Sequence, residues 1–285
     1  MNNIIWLASY PKSGNTWFRI FLSNLLQPEN APADINDLES TPIASARGIF
    51  DTITGFNAAD LSHDESDRFR PEVYEHLSSN AEDIQFQKVH DAFTYLDDGS
   101  ALLSKKATRG AIYFIRNPLD VAISYANHSG IPIDKSIEQI NDPDHAFCYK
   151  SKQLHNQLRQ KLLTWSQHVE SWVDHSGIDV HVMRYEDMKN NPLKTFSGAV
   201  DFAGLEKTDA EIQQALKHSD FKEIQKQEQE KGFHEKAPDC QAFFKKGECG
   251  YWREVLNEDQ VKQIIDAHAT IMKRFGYLDK NSNPI

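Results

Sequence analysis

A short loop near the start of the chain carries residue types that bind anions. It contains Lys12, Ser13, Gly14, Asn15 and Thr16. The lysine brings a positive charge, the two hydroxyls bring donors, and the glycine lets the backbone approach a ligand closely. The alternative is an ordinary connection between two elements with no ligand.

The elements around this loop favour the anion site. The apolar run 4–9 before it predicts a strand buried on both faces, and a helical pattern follows over 17–26. The start of a helix binds anions through its backbone N–H groups and its macrodipole. The loop differs from the nucleotide-triphosphate P-loop, because Lys12 precedes Gly14 and no second glycine lies five residues upstream.

Two further strand ends carry groups that could do chemistry. Residues 84–89 alternate as a strand does, and Lys88 and His90 come at its end. The run 111–115 predicts a buried strand that leads into Arg116, which can hold a phosphate through two N–H groups. The alternatives are a structural histidine, a solvated lysine and an arginine in a salt bridge.

The C-terminal third contains a second candidate anion-binding loop. Lys245 and Lys246 precede Gly247, with aromatic residues on both sides of the three. Such a loop resembles a flexible phosphate clamp, and the alternative is an exposed loop. The pattern over 261–275 predicts an amphipathic last helix.

Composition excludes several classes of protein. The 285 residues are 39% apolar and 26% charged, which is typical of a soluble globular protein, and no linker divides them. A net charge of −11 argues against nucleic-acid binding, and no apolar run is long enough to span a membrane. Three cysteines without disulfide or zinc spacing indicate reduced thiols and a cytoplasmic protein, since the first strand starts too early to leave room for a secretory signal.

The remaining segments yield coarser predictions. We expect loops and short helices over 27–67, and a helix over 70–79 with Pro71 in its first turn. The polar stretch 131–147 predicts a mobile loop, and apolar steps of three and four from Leu154 to Trp172 predict one long helix. Segments 27–67 and 131–150 are the candidates for a lid and an acceptor pocket.

Taken together, these motifs resemble the soluble sulfotransferases that use 3′-phosphoadenosine 5′-phosphosulfate (PAPS), in a form similar to bacterial members. The resemblance rests on five segments in the family's order, which are Tyr10–Trp17, Lys88–His90, Arg116–Ser124, Tyr185–Met188 and Lys245–Trp252. It implies an α/β fold over a single domain, 1–285, with a central parallel β-sheet flanked by helices, kin to the P-loop nucleotide kinases.

The resemblance also implies roles for individual residues. His90 would be the general base, Lys12 would stabilise the leaving phosphate, Lys88 would neutralise the sulfuryl oxygens, and Ser124 would both bind the 3′-phosphate and restrain the lysine. The donor site would contain Lys12, Ser13, Gly14, Asn15, Thr16, Trp17, Arg116, Ser124, Tyr185, Ser219, Phe221, Lys245, Lys246 and Gly247. No metal is implied, because the donor is already activated.

This chain departs from the family's pattern in three places. Asn15 replaces a threonine but keeps its backbone N–H, Lys245 replaces an arginine and loses two-point binding of phosphate, and Tyr251 replaces an aspartate. The short dimer motif of animal members is not found, so a monomer and a homodimer both stay open.

Two other functions are alternatives. A nucleotide-dependent small-molecule kinase would need a Walker lysine after its glycine and a magnesium-binding acid, and neither is present at the loop. A non-enzymatic nucleotide-binding protein would not need His90. The acceptor is expected to be a small molecule with a hydroxyl group, and phenols, alkyl alcohols, sugars and amines stay open.

Overall fold

The computed structural model describes residues 2–27, 31–150, 155–237, 240 and 242–285. The chain divides into two compact units, each assembled from separate stretches. Unit 1 contains Met1–Tyr10, Thr41–Tyr113 and Asp142–Val182, and unit 2 contains Pro11–Ser40, Phe114–Asn141 and Met183–Ile285. The single domain over 1–285 stays a prediction.

The strands of the described residues are β1 (Ile4–Ser9), β2 (Gln85–Val89), β3 (Thr108–Ile115), β4 (Ala146–Phe147), β5 (Gln160–Lys161) and β6 (Val180–Arg184). The main sheet has the order β2-β1-β3-β6, and β4 pairs with β5 separately. β1 runs parallel to β2, with Ile4 opposite Gln85 and Ala8 opposite Val89. The predicted α/β fold, a parallel sheet flanked by helices, is confirmed.

The apolar run of β1 is buried over its whole length, as its sequence predicts. Inside it, the Trp6 indole N–H donates to the Thr108 hydroxyl of β3 at 2.8 Å, so the polar atom of this buried ring is satisfied. β1 therefore fixes the point at which the chain enters the anion-binding loop.

The helices of unit 1 are α2 (Arg47–Thr54), α3 (His63–Ser79) and α6 (Trp165–Val173). Those of unit 2 are α1 (Asn15–Leu26), α4 (Pro118–Ser129), α5 (Ile133–Ile140), α7 (Tyr185–Asn190), α8 (Pro192–Ala203), α9 (Asp209–His218), α10 (Phe221–Lys231), α11 (Trp252–Val255) and α12 (Glu258–Arg274). No helix in the described part of the chain is both long and apolar enough to cross a membrane.

The structure corrects the predicted start of α3. The helix begins at His63, where Ser62 and Glu65 form a capping box that satisfies the first N–H groups. Pro71 therefore lies inside the helix and not in its first turn. The capping pair, and not the proline, sets the boundary.

The predicted mobile loop 131–147 is wrong over α5. Ile137 and Ile140 are buried, and the buried Ser136 hydroxyl donates to the Ala122 carbonyl at 2.7 Å. These contacts attach α5 to α4 within unit 2. The role of segments 27–67 and 131–150 as a lid or pocket stays a prediction.

The long helix predicted up to Trp172 is also wrong. Residues 155–164 are not helical, and α6 begins only at Trp165, where Thr164 and Gln167 form a capping box. Leu154, the first residue of that prediction, lies outside the described residues. The apolar spacing comes from Leu158, which packs in a cluster with Phe50, and from the core face of α6.

Candidate active site

The N-terminus of α1 in unit 2 begins without a side-chain cap. Gly14 is its N-cap residue, with φ of 105°, and no side chain caps the helix. The first N–H groups of a helix have no partner within it, so they are directed to whatever lies before Gly14. A Cβ at Gly14 would lie 2.9 Å from the Tyr185 ring, and only glycine fits here.

The two residues before Gly14 add polar groups to this helix start. Ser13 is fully buried, and its hydroxyl has no hydrogen-bond partner among the described residues. Lys12 has φ of 71°, a strained conformation of the kind that clusters at functional sites. Its ammonium lies 3.6 Å from the centroid of the Phe243 ring. A buried hydroxyl without a partner fits an anion that binds at this loop.

Arg116 follows β3 directly and connects two loops of unit 2. Its guanidinium donates to the Lys12 carbonyl at 3.3 Å and to the Glu248 carbonyl at 3.0 Å. It also stacks on the Tyr185 ring, 4.3 Å from the centroid. Arg116 thus joins the anion-binding loop to the C-terminal loop that contains Gly247. Its predicted role in binding the 3′-phosphate stays a prediction.

Residues 245–247 are held by contacts from several helices. The Lys245 ammonium lies 3.4 Å from the Asn127 side-chain oxygen, and Lys246 lies 3.8 Å from the Tyr251 ring centroid. Gly247 has φ of 62°, and a Cβ there would lie 2.4 Å from the Phe221 ring. The Tyr185 hydroxyl donates to the Gly247 carbonyl at 3.1 Å.

Asp120 on α4 is a residue of this site that sequence reasoning missed. Its buried carboxylate accepts hydrogen bonds from the backbone N–H groups of Gly250 at 2.7 Å and Trp252 at 3.0 Å. These bonds fix the far end of the loop that begins at Lys245. Its place four residues after Arg116 was the one available signal, but its partners are 130 and 132 residues away.

Three residues of the predicted donor site, Trp17, Tyr185 and Ser219, are in contact within unit 2. The Trp17 indole donates to the Ser219 carbonyl at 2.9 Å, and its ring packs edge-on to Tyr185. The Ser219 hydroxyl, however, donates to the Ala215 carbonyl at 2.8 Å and is buried. Lys189, which the sequence did not indicate, lies 5.4 Å from the Trp17 ring centroid and 5.2 Å from that of Phe221.

Other predicted residues of unit 2 make fewer contacts. Thr16 is half-buried in the first turn of α1, and Asn15 is buried at its start. Ser124 is half-buried on α4, and its hydroxyl makes no hydrogen bond within the part of the chain that the structure describes. The predicted restraint of a lysine by Ser124 stays a prediction.

His90 and Lys88 lie at the end of β2 in unit 1. The Nδ1 atom of His90 is 3.0 Å from the Ser9 carbonyl, which can only accept, so Nδ1 carries the proton. The Nε2 atom therefore keeps its lone pair and is the basic atom of the ring. The backbone of Lys88 pairs with residues 42 and 44, at 2.9 Å and 2.8 Å.

A second histidine, His168 on α6, supports the backbone of His90. It is fully buried, its Nε2 lies 3.1 Å from the His90 carbonyl, and its Nδ1 lies 2.8 Å from the Tyr113 hydroxyl. The carbonyl fixes the tautomer, with Nε2–H as donor and Nδ1 as acceptor. Burial lowers the pKa of His168 to about 4, so the imidazole is neutral.

The next residue, Asp91, is fixed in the same way. Its carboxylate binds the buried Arg70 guanidinium through bonds of 2.7 Å and 3.0 Å, and the Trp172 indole donates to its carbonyl at 3.0 Å. Desolvation raises the pKa of Asp91 in spite of the arginine. The backbone carbonyls of His90 and Asp91 thus each accept a hydrogen bond from a buried ring of α6.

Among the residues that the structure describes, no group of three or more His, Cys, Asp and Glu side chains is arranged to hold a metal ion. The expectation that the reaction needs no metal stays a prediction.

The chain is similar to known proteins over nearly its whole length. Residues 2–276 match the family model "Sulfotransferase domain". The chain is 24% identical over 276 residues to sulfotransferase 1A1 of Canis lupus familiaris, which covers 95% of this chain and 83% of that protein. It is 22% identical over 275 residues to flavonol 3-sulfotransferase of Flaveria bidentis, and this match covers 92% of this chain and 79% of that protein.

Two solved structures share the fold. Retinol dehydratase in complex with androsterone and the inactive cofactor PAP is 18% identical, with a TM-score of 0.61, and the match covers 98% of this chain and 83% of the other. Mouse sulfotransferase SULT7A1 complexed with PAP is 18% identical, with a TM-score of 0.59 and coverage of 96% and 85%. Because the family model matches residues 2–276, the chain belongs to the sulfotransferase family.

Proposed function

We propose that this protein transfers the sulfuryl group of PAPS to a hydroxyl group of a small-molecule acceptor. Membership of the sulfotransferase family supports the reaction class, and the PAP in the two similar structures supports the donor. The observation that carries the proposal is the start of α1, where a glycine N-cap and the buried, unpartnered Ser13 hydroxyl form a site for an anion. The kinase alternative has no support.

The residues of unit 2 would hold the donor, which supplies an already activated sulfuryl group on a phosphate leaving group. The N–H groups at the start of α1, with Lys12, would bind the 5′-phosphosulfate and stabilise the charge that develops there. Arg116 and the Lys245–Gly247 loop would bind the 3′-phosphate. Trp17 and Phe221 would contact the adenine by stacking.

His90 would remove the proton from the acceptor. Its Nδ1 is protonated against the Ser9 carbonyl, so Nε2 can accept the hydroxyl proton as the oxygen attacks sulfur. Lys88 would neutralise the sulfuryl oxygens. His168 would act as a positioning residue, because it holds the His90 carbonyl and has no exposed surface.

The names of the similar proteins support an acceptor with a hydroxyl group. They include a flavonol sulfotransferase and complexes with androsterone and with retinol. An amine acceptor remains the alternative within the same class.

Calorimetric titration tests the donor. We expect PAP to bind without magnesium, and ADP and 5′-AMP to bind far more weakly because they lack the 3′-phosphate. Arg116→Gln should weaken PAP binding at least tenfold, as expected for a lost charged contact, whereas the exposed Arg109→Gln should not change it. Equal binding of ADP, or a requirement for magnesium, would contradict the proposed donor.

A further inference from the structure

A group of basic side chains in unit 1 has no role in the site described above. It consists of Arg47, His63, Lys150 and His155, which we call the basic cluster. The chain as a whole is acidic, and two other arginines of this unit, Arg70 and Arg159, are paired with carboxylates. Arg47 forms no ion pair within the described part of the chain. The cationic side chains of Arg47 and Lys150, together with two imidazole rings in an otherwise acidic protein, favour an anionic ligand.

Backbone pairing brings the two halves of the basic cluster together. Residues 45–47 run antiparallel to 156–158, with Ala46 opposite Gln157. The Arg47 N–H donates to the Asn156 carbonyl at 3.0 Å, and the Leu158 N–H donates to the Ser45 carbonyl at 2.8 Å. This register places Arg47 beside the residue that follows His155.

Two nitrogen atoms of the basic cluster are shielded from solvent and have no hydrogen-bond partner among the described residues. They are Nε of Arg47 and Nε2 of His155. Each is a polar atom removed from water, which is costly unless a ligand or water completes its hydrogen bond.

His63 and Lys150, the other two members of the basic cluster, lie near His155. The His63 Nε2 atom lies 2.9 Å from the Tyr149 carbonyl, which brings the following Lys150 close. Burial and then the charges of Arg47, His63 and Lys150 lower the pKa of His155.

The basic cluster is within reach of the predicted base. Ile43 pairs with Lys88, and Arg47 is four residues further along the chain, so the backbone of Arg47 is at most about 14 Å from that of Ile43. Cys148 lies near both Arg47 and Asp91, the residue next to His90. Burial and the charge of Asp91 raise the pKa of the Cys148 thiol, and the charge of Arg47 lowers it.

We propose that the basic cluster binds an oxyanion group, such as a carboxylate or a phosphonate, on the acceptor whose hydroxyl is presented to His90. The acceptor is then an anionic alcohol or phenol and not a neutral one. This inference rests on the proposed function, because only a sulfotransferase site gives His90 an acceptor. Arg47 would bind the anion through paired N–H groups, and His155 would add an N–H donor at Nε2.

Binding of matched probes tests the inference. The probes are ω-hydroxyhexanoate, ω-hydroxydodecanoate and hydroxyphenylacetate, each beside its methyl ester, with ω-hydroxydodecylphosphonate to compare carboxylate with phosphonate. Affinity is measured by ligand-observed NMR on the full-length protein, with and without saturating PAP. At least one anion should bind tenfold or more tightly than its ester, as expected for charged hydrogen bonds.

Substitutions locate the effect. Arg47→Gln and His155→Gln should each reduce the preference for the anion about tenfold and leave ester binding within about twofold. Arg109→Gln, an exposed charge at the opposite end of β3, should change neither. Equal binding of anions and esters, binding of neither, or equal losses for both in Arg47→Gln would each overturn the inference. If the wild-type protein does not bind PAP at all, the proposed function is contradicted instead.

Discussion

The buried His168 makes the stability of this protein depend on pH in a way that one substitution can remove. Burial lowers its pKa from 6.5 to about 4, so the folded protein keeps the imidazole neutral where the unfolded chain takes up a proton. The resulting stabilisation is present above pH 6.5 and is lost as the pH falls through about 4. At about 1.4 kcal/mol per pKa unit, it amounts to about 3.4 kcal/mol.

Urea unfolding of wild type and His168→Gln tests this value. Between about pH 7.5 and about pH 5, His168 should account for a fall of about 2 kcal/mol in the free energy of unfolding. The variant should lack that part of the fall, since glutamine does not titrate. Tyr113→Phe serves as the control, because it removes the bond to His168 at every pH and should keep the pH dependence. If the stability of His168→Gln falls as steeply as that of wild type, His168 is not the source of this pH dependence.

Two substitutions of His168 distinguish a role in positioning His90 from a role in packing alone. His168→Gln keeps an N–H donor for the His90 carbonyl, whereas His168→Phe has none. If His168 positions the base, kcat should fall about tenfold or more in the phenylalanine variant and recover in the glutamine variant. PAP affinity should not change in either. Equal kcat values for the two folded variants would leave His168 with a packing role only.

Two further substitutions test unit 2. Gly14→Ala should cost about 1–3 kcal/mol of stability and most of the PAP affinity, since its Cβ would lie 2.9 Å from the Tyr185 ring. Gly55→Ala is the control, because a Cβ there has open space around it. Unchanged PAP binding of Gly14→Ala in calorimetry would contradict the role of Gly14. Asp120→Asn should weaken PAP binding about tenfold, because the amide oxygen cannot accept both N–H bonds. The control Asp201→Asn, at an exposed position, should keep the wild-type affinity. Wild-type PAP affinity in Asp120→Asn would show that the loop does not depend on Asp120.

Local patterns in the sequence are sufficient to predict the elements around the two candidate anion-binding loops. The buried runs of β1 and β3, Gly14 and the C-terminal glycine loop all follow from apolar runs and glycine chemistry within a few residues. The structure adds the contacts between them, such as Arg116 with both the Lys12 and Glu248 carbonyls.

The errors and omissions have a common cause in long-range contacts. α5 has only a short apolar pattern between two prolines, and its burial against α4 decides its structure. Residues 155–164 have helical spacing, but Gln157 forms a backbone bridge with Ala46, and β5 within this stretch pairs with β4. His168 lies 78 residues from the carbonyl that it supports, and Asp120 lies 130 residues from Gly250, so no local pattern signals either role.

We expect His90 to remove the acceptor proton in a sulfuryl transfer from PAPS. The most direct measurement compares His90→Asn with wild type for PAP affinity and for turnover of PAPS with a hydroxyl acceptor. Asparagine can keep the N–H bond to the Ser9 carbonyl but has no basic atom, so PAP affinity should be unchanged while turnover falls by about 10²–10⁴. Turnover equal to that of wild type would contradict the account.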